Sequence, residues 1–318
     1  SVSHMGEVEV RGPKALDFVQ WVLTNDEIKA VPGRVQYNLL CTHEGGIIDD
    51  LLVYRHEDYV TLVLNASNTE KDLKWLMALA QEAPHSGQVE LLNIGTQRAI
   101  LAIQGPQASA AMEAVGLDVS DLPYMGFKQL GKDGEIIISR TGYTGELGYE
   151  LYIPASGASD WWDKFAALEG EITVSPAGLA ARDTLRLEMG YTLYGNDIDE
   201  TTNPWEAGIG WAVKMNKGNF IGKDALTELK GKSRRSLVGF TVEGRGIARS
   251  GYEILVDGTP VGEVTSGSIS PSLNVGVGLA YIETDSCSEG DLVDILVRGK
   301  PVQARIATPP FVPSRVRD

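Results

Sequence analysis

The stretch "SRTGYTGELGYELYI" at residues 139–153 places a carboxylate, Glu150, in a strand that resumes after a glycine-containing loop. Gly142, Gly145 and Gly148 permit positive φ angles and let a flat molecule approach the backbone closely. A carboxylate on the resumed strand can accept paired hydrogen bonds from the planar N–H and NH2 edge of a pterin or a guanine. The same pattern is also typical of a solvent-facing glutamate on an amphipathic hairpin, and both interpretations stay open at this point.

Two adjacent acids, Asp49 and Asp50, interrupt the apolar run "GGIIDDLLVYR" at residues 45–55. Neighbouring side chains on a strand point to opposite faces, so one of the two acids faces the core. A carboxylate turned inward needs a hydrogen-bonding partner or a chemical role. Capping a turn is an alternative for one of these acids, but hardly for both.

Two further segments carry charged side chains in a regular arrangement. Arg182 and Arg186 lie one helical turn apart in "SPAGLAARDTLRLEMG", where they favour either a salt-bridge network or an arginine aimed at an anionic ligand. The segment "YGNDIDETTNPWEAGIGW" at residues 194–211 sets acids between aromatic residues but lacks the order of a calcium loop. We interpret it as a rigid loop whose Trp205 and Trp211 pack on a ligand or on another domain.

The composition excludes several classes of protein. A formal net charge of -15 argues against nucleic-acid binding, and it requires local Arg or Lys side chains to hold any anionic ligand. No apolar run approaches the roughly 20 residues that span a bilayer, so no integral membrane protein is expected. Two cysteines far apart and four histidines without ligand spacing indicate a reducing compartment and predict no metal site.

The elements that must position these residues divide into two regions. An α+β region is predicted for residues 1–228, followed by the basic connector "LKGKSRR" at residues 229–235 and an all-β region at residues 236–318. Short strand-like runs recur through the last region at the spacing of a small barrel or sandwich.

Two helices show recognisable signals at their ends. Ser67 and Glu70 have capping-box spacing, and they precede an apolar stripe formed by Leu73, Leu76, Met77 and Ala80. For the arginine-bearing helix, Ser175 is expected to cap the first turn, Pro176 to occupy the first helical position and Gly190 to end the helix.

Taken in order, the motifs "GGIIDDLLVYR", "NASNTEKDLKWL", "SRTGYTGELGYELYI", "GLAARDTLRLEMGYTLYGNDIDETTNP" and "GEVTSGSISPSL" resemble the aminomethyltransferases, or T proteins, of the glycine cleavage system. The resemblance covers essentially the whole chain. It implies an α+β, three-domain cloverleaf around a central folate site, with two α+β subdomains before a small C-terminal β-barrel.

The resemblance also implies an activity in glycine catabolism and one-carbon metabolism. Such a protein transfers the one-carbon unit from the aminomethyl-lipoyl arm of H protein to tetrahydrofolate, releases ammonia and forms 5,10-methylenetetrahydrofolate. The expected partners are the lipoylated H protein and the folate, without nucleic acid or membrane. The expected compartment is the cytoplasm, or the mitochondrial matrix in a eukaryote.

The family pattern assigns a role to each matching residue. Asp50 becomes the catalytic carboxylate, and Glu150 binds the amino edge of the pterin. The remaining matches are expected to line the folate pocket, namely Tyr143, Arg182, Asn65, Trp211, Arg249, Met5 and Tyr37.

One departure from the family pattern and three alternative families must be weighed against the resemblance. A segment of about 45 residues usually precedes the family's "VSHMGE" motif, which here begins at Val2. A folate-dependent demethylase shares the implied fold and stays open as an alternative. The folate-binding iron-sulfur assembly factor is disfavoured because its characteristic cysteine is replaced in "KGNFIGKD" at residues 217–224. A flavin-linked dehydrogenase is disfavoured because no dinucleotide-binding motif opens the chain.

Overall fold

The scaffold consists of two open sheets and a barrel, seen in a computed structural model that describes residues 1–82, 84–132, 134–244 and 246–318. In spatial order, the first sheet contains β2 (Arg34–Cys41), β3 (Ile47–Arg55), β4 (Val60–Leu64), β1 (Gly6–Arg11) and β5 (Glu90–Asn93). The second contains β6 (Arg98–Gln104), β9 (Gly148–Pro154), β8 (Ile136–Ser139) and β7 (Phe127–Leu130). The closed barrel contains β10 (Arg235–Val242), β13 (Val275–Glu283), β12 (Thr259–Ser270), β11 (Glu253–Val256), β14 (Leu292–Val297) and β15 (Lys300–Ala307).

Helices cover the outer faces of the two open sheets. They are α1 (Ala15–Val22), α2 (Thr69–Ala80), α3 (Ala108–Ala114) and α4 (Ala158–Ala166), and two more follow, α5 (Leu179–Glu188) and α6 (Lys223–Leu229). One hydrophobic core joins α1 and α2 to the first sheet, and another joins α3 and α4 to the second. The predicted α+β fold with a C-terminal barrel is therefore confirmed.

The two open sheets pack against each other through their inner faces. Tyr54 of β3 and Val63 of β4 meet Ile100 of β6 and Tyr152 of β9 in a shared buried cluster. Tyr54 has only 1% of its surface exposed, and its ring centroid lies 5.3 Å from that of Tyr152. Because both tyrosines are buried, their hydroxyl groups must find partners between the sheets.

Helix α5 connects the second sheet region to the barrel. Its Leu187 packs on Val277 and Leu279 of β13. The buried guanidinium of Arg186 is paired with Asp197 at 2.8 Å and donates to Ser266 Oγ on β12 at 3.0 Å. Of the two interpretations of the arginine pair, the salt-bridge network therefore applies to Arg186, which fixes the position of α5 against the barrel.

The expected helix caps differ from the structure at two positions. Helix α2 begins at Thr69 after Asn68, so Ser67 does not cap it, and the Asn68 amide donates to Asp49 instead. The expected apolar stripe of α2 also needs correction, because Met77 is 49% exposed.

Helix α5 likewise begins later than its sequence signals predicted. It starts at Leu179 after Gly178, so Ser175 and Pro176 lie outside it and line a cavity instead. The predicted end at Gly190 is confirmed, since that residue has a φ of +69°. No helix in the described part of the chain combines the length and apolar character needed to cross a membrane.

Candidate active site

The acids Asp49 and Asp50 of β3 lie among polar side chains from neighbouring elements. We call this group the acid cluster and define it as Asp49, Asp50, Tyr37 of β2, and Asn65 and Asn68 between β4 and α2. The Asn65 amide nitrogen is 2.9 Å from Asp49 Oδ1 and 2.8 Å from Asp50 Oδ1, so one amide holds both carboxylates. The Tyr37 hydroxyl donates to Asp50 Oδ2 at 3.0 Å. Asp49 is the inward-facing acid of the pair and is fully buried, whereas Asp50 retains partial exposure.

The environment of Asp50 changes its acidity. Burial, followed by the neighbouring charge of Asp49, raises the pKa of Asp50 to about 7 despite the hydrogen bonds from Tyr37 and Asn65. A carboxyl group with a pKa near the working pH can both accept and release a proton. The acid cluster therefore provides a general acid-base group on a rigid strand.

The second acid, Glu150, lies on the inner face of β9 at the end of a chain of buried hydroxyl groups. Thr141 Oγ1 donates to Glu150 Oε2 at 2.5 Å, which leaves that hydroxyl to accept from Ser139 Oγ at 2.7 Å. Ser139 then accepts from Tyr54 at 3.0 Å, and Tyr54 accepts from Tyr152 at 2.8 Å. Each hydroxyl group in this series thus donates toward Glu150, and the last one donates to its carboxylate oxygen. Burial raises the pKa of Glu150.

Glu150 lines a cavity of about 530 Å³ that runs along the free edge of β6. Tyr143 and Arg182 line the same cavity, together with apolar side chains from β6 and α4 such as Leu101 and Phe165. A mainly apolar cavity of this size with a buried carboxylate and a cationic group suits a drug-sized heterocycle that carries an anionic tail. The Arg182 guanidinium lies 4.8 Å from the Tyr143 ring centroid.

The glycine-containing loop between β8 and β9 is shaped by two different constraints. Gly145 has a φ of +73°, which L-residues avoid, whereas Gly142 and Gly148 have no positive φ. A Cβ atom at either of these two positions would lie 2.1 Å or 2.3 Å from the Gln104 side chain. The expectation of positive φ at all three glycines is therefore wrong for two, which are needed instead for close packing.

Tyr143 lines the cavity and is held in place by residues that follow α5. Its hydroxyl donates to the carbonyl of Thr192, and its ring stacks on Tyr191 with centroids 5.6 Å apart. Burial is the main cause of the raised pKa of Tyr143, and the negative charge of Asp50 raises it further. Tyr143 in turn makes a small contribution to the raised pKa of Tyr37, which is caused mainly by burial and by Asp50. Of the residues selected from the sequence, Glu150, Tyr143 and Arg182 line the cavity, whereas Asp50, Tyr37, Asn65 and Trp211 do not.

The other residues selected from the sequence lie at different distances from this region. Trp211 is 58% exposed and stacks on Tyr37, with ring centroids 5.2 Å apart. Trp205 packs inward and donates its ring N–H to Leu226. Met5 packs against the hydrophobic cluster between the two sheets, and Arg249 is exposed on the barrel with a hydrogen bond to Gly267. Neither Met5 nor Arg249 lines the cavity.

Sequence reasoning missed two polar partners of the acids, Thr141 and Asn68, and a glutamine, Gln104, that holds the glycine-containing loop. Thr141 stood inside the quoted loop motif but had no signal beyond its proximity to Glu150. Asn68 repeats the amide of Asn65 three residues later, a spacing that places both near the start of α2. Gln104 is brought to the loop only by the pairing of β6 with β9, which local sequence does not reveal.

The described residues hold no group of three or more His, Cys, Asp or Glu side chains arranged to bind a metal ion. Cys41 is buried and Cys287 partly exposed, each as a free thiol.

Two family models together match most of the chain. A family model described as the GCVT N-terminal domain matches residues 1–217, and one described as the glycine cleavage T-protein C-terminal barrel domain matches residues 235–313. An aminomethyltransferase of Halothermothrix orenii is 45% identical over 98% of this chain and 87% of its own length. An aminomethyltransferase of Thermotoga neapolitana is 43% identical over 99% of this chain and 86% of its own length.

A solved structure gives the same result. The crystal structure of the glycine cleavage system aminomethyltransferase T from Bartonella henselae superposes with a TM-score of 0.92 at 34% sequence identity. The match covers all of this chain and 86% of the other. Sequence and fold therefore point to the same family.

Proposed function

Because the chain belongs to the glycine cleavage T-protein family of aminomethyltransferases, we propose that Glu150 and Asp50 divide the reaction between them. The protein is an aminomethyltransferase of the glycine cleavage system, and its family uses tetrahydrofolate. In our proposal Glu150 binds the one-carbon acceptor, and Asp50 handles the proton that moves during transfer. The observation that carries this proposal is the presence of two separate acids, Glu150 in the cavity with Tyr143 and Arg182, and Asp50 in the acid cluster with a pKa of about 7.

The cavity residues fit the shape and charge of a folate. Glu150 offers a carboxylate to the N–H and NH2 groups of the pterin, and Thr141 holds that carboxylate in one orientation. Arg182 supplies the positive charge that an anionic tail requires in a protein of net charge -15. Tyr143 provides an aromatic face at the wall of the same cavity.

Asp50 is suited to proton transfer at the carbon being moved. When the carbon becomes bonded to both folate nitrogens, its C–N bond to the departing ammonia and its C–S bond to the lipoyl arm break. Each folate nitrogen loses a proton, so that one proton goes to the departing amine and the other to the lipoyl thiolate. A carboxyl with a pKa of about 7 performs both steps near neutral pH. Tyr37 and Asn65 keep this carboxyl in place, so that no binding energy is lost in orienting it during the reaction.

We assign secondary roles to the remaining residues of the family pattern. Trp211, which is exposed and stacked on Tyr37, is proposed as an aromatic wall beside the acid cluster. Met5 and Arg249 lie outside the cavity, so we propose that they contact the ligand only at the periphery. The lipoylated H protein is proposed as the donor of the one-carbon unit, with tetrahydrofolate as the acceptor.

The proposal is tested by mixing the protein with tetrahydrofolate and aminomethyl-loaded H protein. Ammonia and 5,10-methylenetetrahydrofolate should form together, in equal amounts, and only when H protein is present. Product from a methylated sulfonium donor without H protein would instead indicate a demethylase. Asp50→Asn should abolish both products while the protein still binds folate.

A further inference from the structure

Helix α2 carries a fully buried acid, Asp72, that the proposed reaction does not use. Its side chain is buried together with those of Leu76, Leu79 and Ala80, the other buried residues of this helix. Within the part of the chain that the structure describes, no donor group reaches either oxygen of this carboxyl. A buried acid without a donor is costly unless it is neutral and donates a hydrogen bond itself.

The group that faces Asp72 is the carboxylate of Asp49 in the acid cluster. Asp49 Oδ1 already accepts from Asn65 at 2.9 Å and from Asn68 at 2.6 Å, and Oδ2 accepts from the Asn65 backbone N–H at 3.1 Å. An ionised carboxylate has about four acceptor positions, so one remains on the side of Asp72. Three N–H donors favour the charged form of Asp49, and two facing carboxylates cannot both be charged.

The cation that could otherwise neutralise Asp72 is engaged elsewhere. Lys71 is its neighbour in the chain, but the Lys71 ammonium is 2.8 Å from the carbonyl of Ile48 and 2.7 Å from the hydroxyl of Tyr194. It also lies 3.3 Å from Glu200 at the surface. The charged groups that act on Asp72 are therefore Asp49 and Asp50 from β3, and Lys71 from its own helix.

We propose that Asp72 is a positioning residue for the one-carbon transfer, whose protonated carboxyl donates a hydrogen bond to ionised Asp49. This bond completes the set of donors around Asp49, which then holds the Asn65 amide against Asp50. The positioning role of Asp72 rests on the proposed function of Asp50. The proton shared between Asp72 and Asp49 does not, because it is argued from the burial and the surroundings of Asp72. Burial and the charge of Asp49 raise the pKa of Asp72, in agreement with a neutral acid at working pH.

Three variants test the hydrogen bond. Asp72→Asn keeps a donor of the same shape, so turnover should stay within about two-fold of the parent. Asp72→Leu removes the donor, so turnover should fall about 10- to 100-fold, with a smaller change in the KM for tetrahydrofolate. Glu70→Gln is the matched control, since it removes one acidic charge from an exposed position in the same helical turn. Equal loss of turnover in Asp72→Asn and Asp72→Leu would overturn the proposal.

A stability measurement tests the proton independently of activity. The folded parent keeps a proton on Asp72 that the unfolded chain releases above about pH 4, so stability should fall as pH rises. In urea unfolding between about pH 5 and pH 9, Asp72→Asn should show a pH slope smaller by about one proton than the parent. Equal slopes in parent and variant would overturn the shared proton. If the parent protein proves inactive but Asp72→Asn still shows the smaller pH slope, the shared proton is supported and the proposed role of Asp50 is refuted.

Discussion

The Glu150→Gln substitution tests the folate-binding role with almost no change in shape. Glu150 is 9% exposed, and its Oε2 accepts from Thr141 at 2.5 Å. A glutamine oxygen can keep that bond, so the hydroxyl chain behind it should stay intact. The NH2 group of the glutamine then faces the cavity, where it meets the N–H donors of the pterin instead of accepting from them.

The size of the effect follows from the bonds that are lost. A hydrogen bond to a charged group contributes about 1.5–3 kcal/mol, and each 1.4 kcal/mol corresponds to a tenfold change in Kd. Glu150→Gln should therefore weaken folate binding about 10- to 150-fold. In the parent, affinity should also decline as pH falls through the raised pKa of Glu150, and the variant should lack this decline.

Calorimetric titration with a reduced folate measures the affinity directly. Glu146→Gln is the matched control, because Glu146 lies in the loop just before β9 and its side chain is 27% exposed beside Arg315. The control should change Kd less than about two-fold, as expected for an exposed ion pair. If Glu150→Gln binds folate as tightly as the parent, the pterin is not held by this carboxylate and the assignment is wrong.

Three further substitutions have distinct expected outcomes. Asp50→Asn should lower turnover at least about 100-fold, and the turnover of the parent should fall as pH drops below the Asp50 pKa of about 7. If the variant still forms product in a single turnover, Asp50 does not have the proposed role. Arg186→Met should lower the free energy of unfolding in guanidinium chloride by about 3–5 kcal/mol, because Asp197 stays buried and unpaired; an unchanged midpoint would contradict this. Gly145→Ala should lower the melting temperature more than Gly195→Ala. Both positions have positive φ, but only at Gly145 would the new Cβ clash, 2.1 Å from a methionine sulfur; equal losses would show that the clash relaxes.

The periodicity of the sequence predicted most strands and helices, because apolar residues follow the geometry of each element. The helix starts were predicted less well. Ser67 and Ser175 are residues of the type that caps helices, but neither does so here. Helix α2 begins after Asn68, whose side chain donates a hydrogen bond to Asp49 and does not cap the helix, and the segment containing Ser175 lines the cavity. Contacts with distant elements therefore override local capping preferences. The division into a region at residues 1–228, a linker at 229–235 and a barrel at 236–318 stays a prediction.

The candidate site was predictable where a motif carries its own geometry. Glu150 and Tyr143 belong to one motif, and the structure places both in the same cavity. Asp72 could not be predicted as a site residue because it occupies an inward-facing position on α2. The periodicity of a helix does not show which side chain of another element lies opposite a given residue. Arg249 was chosen for its place in a family pattern, which does not show that its side chain lies at the barrel surface.

Strand β3 carries residues of both the acid cluster and the chain of buried hydroxyl groups that ends at Glu150. Asp50 and Tyr54 are four residues apart and therefore share a face, with their Cα atoms separated by about 13 Å of extended chain. Tyr54 belongs to the chain of hydroxyl groups that ends at Glu150. A single strand therefore sets the spacing between Asp50, the acid proposed to handle protons, and the hydroxyl chain that orients Glu150, the acid proposed to bind the folate. Inserting or deleting one residue between them would turn one of the two side chains to the opposite face. The interval in β3 should consequently tolerate changes of residue type far better than changes of length.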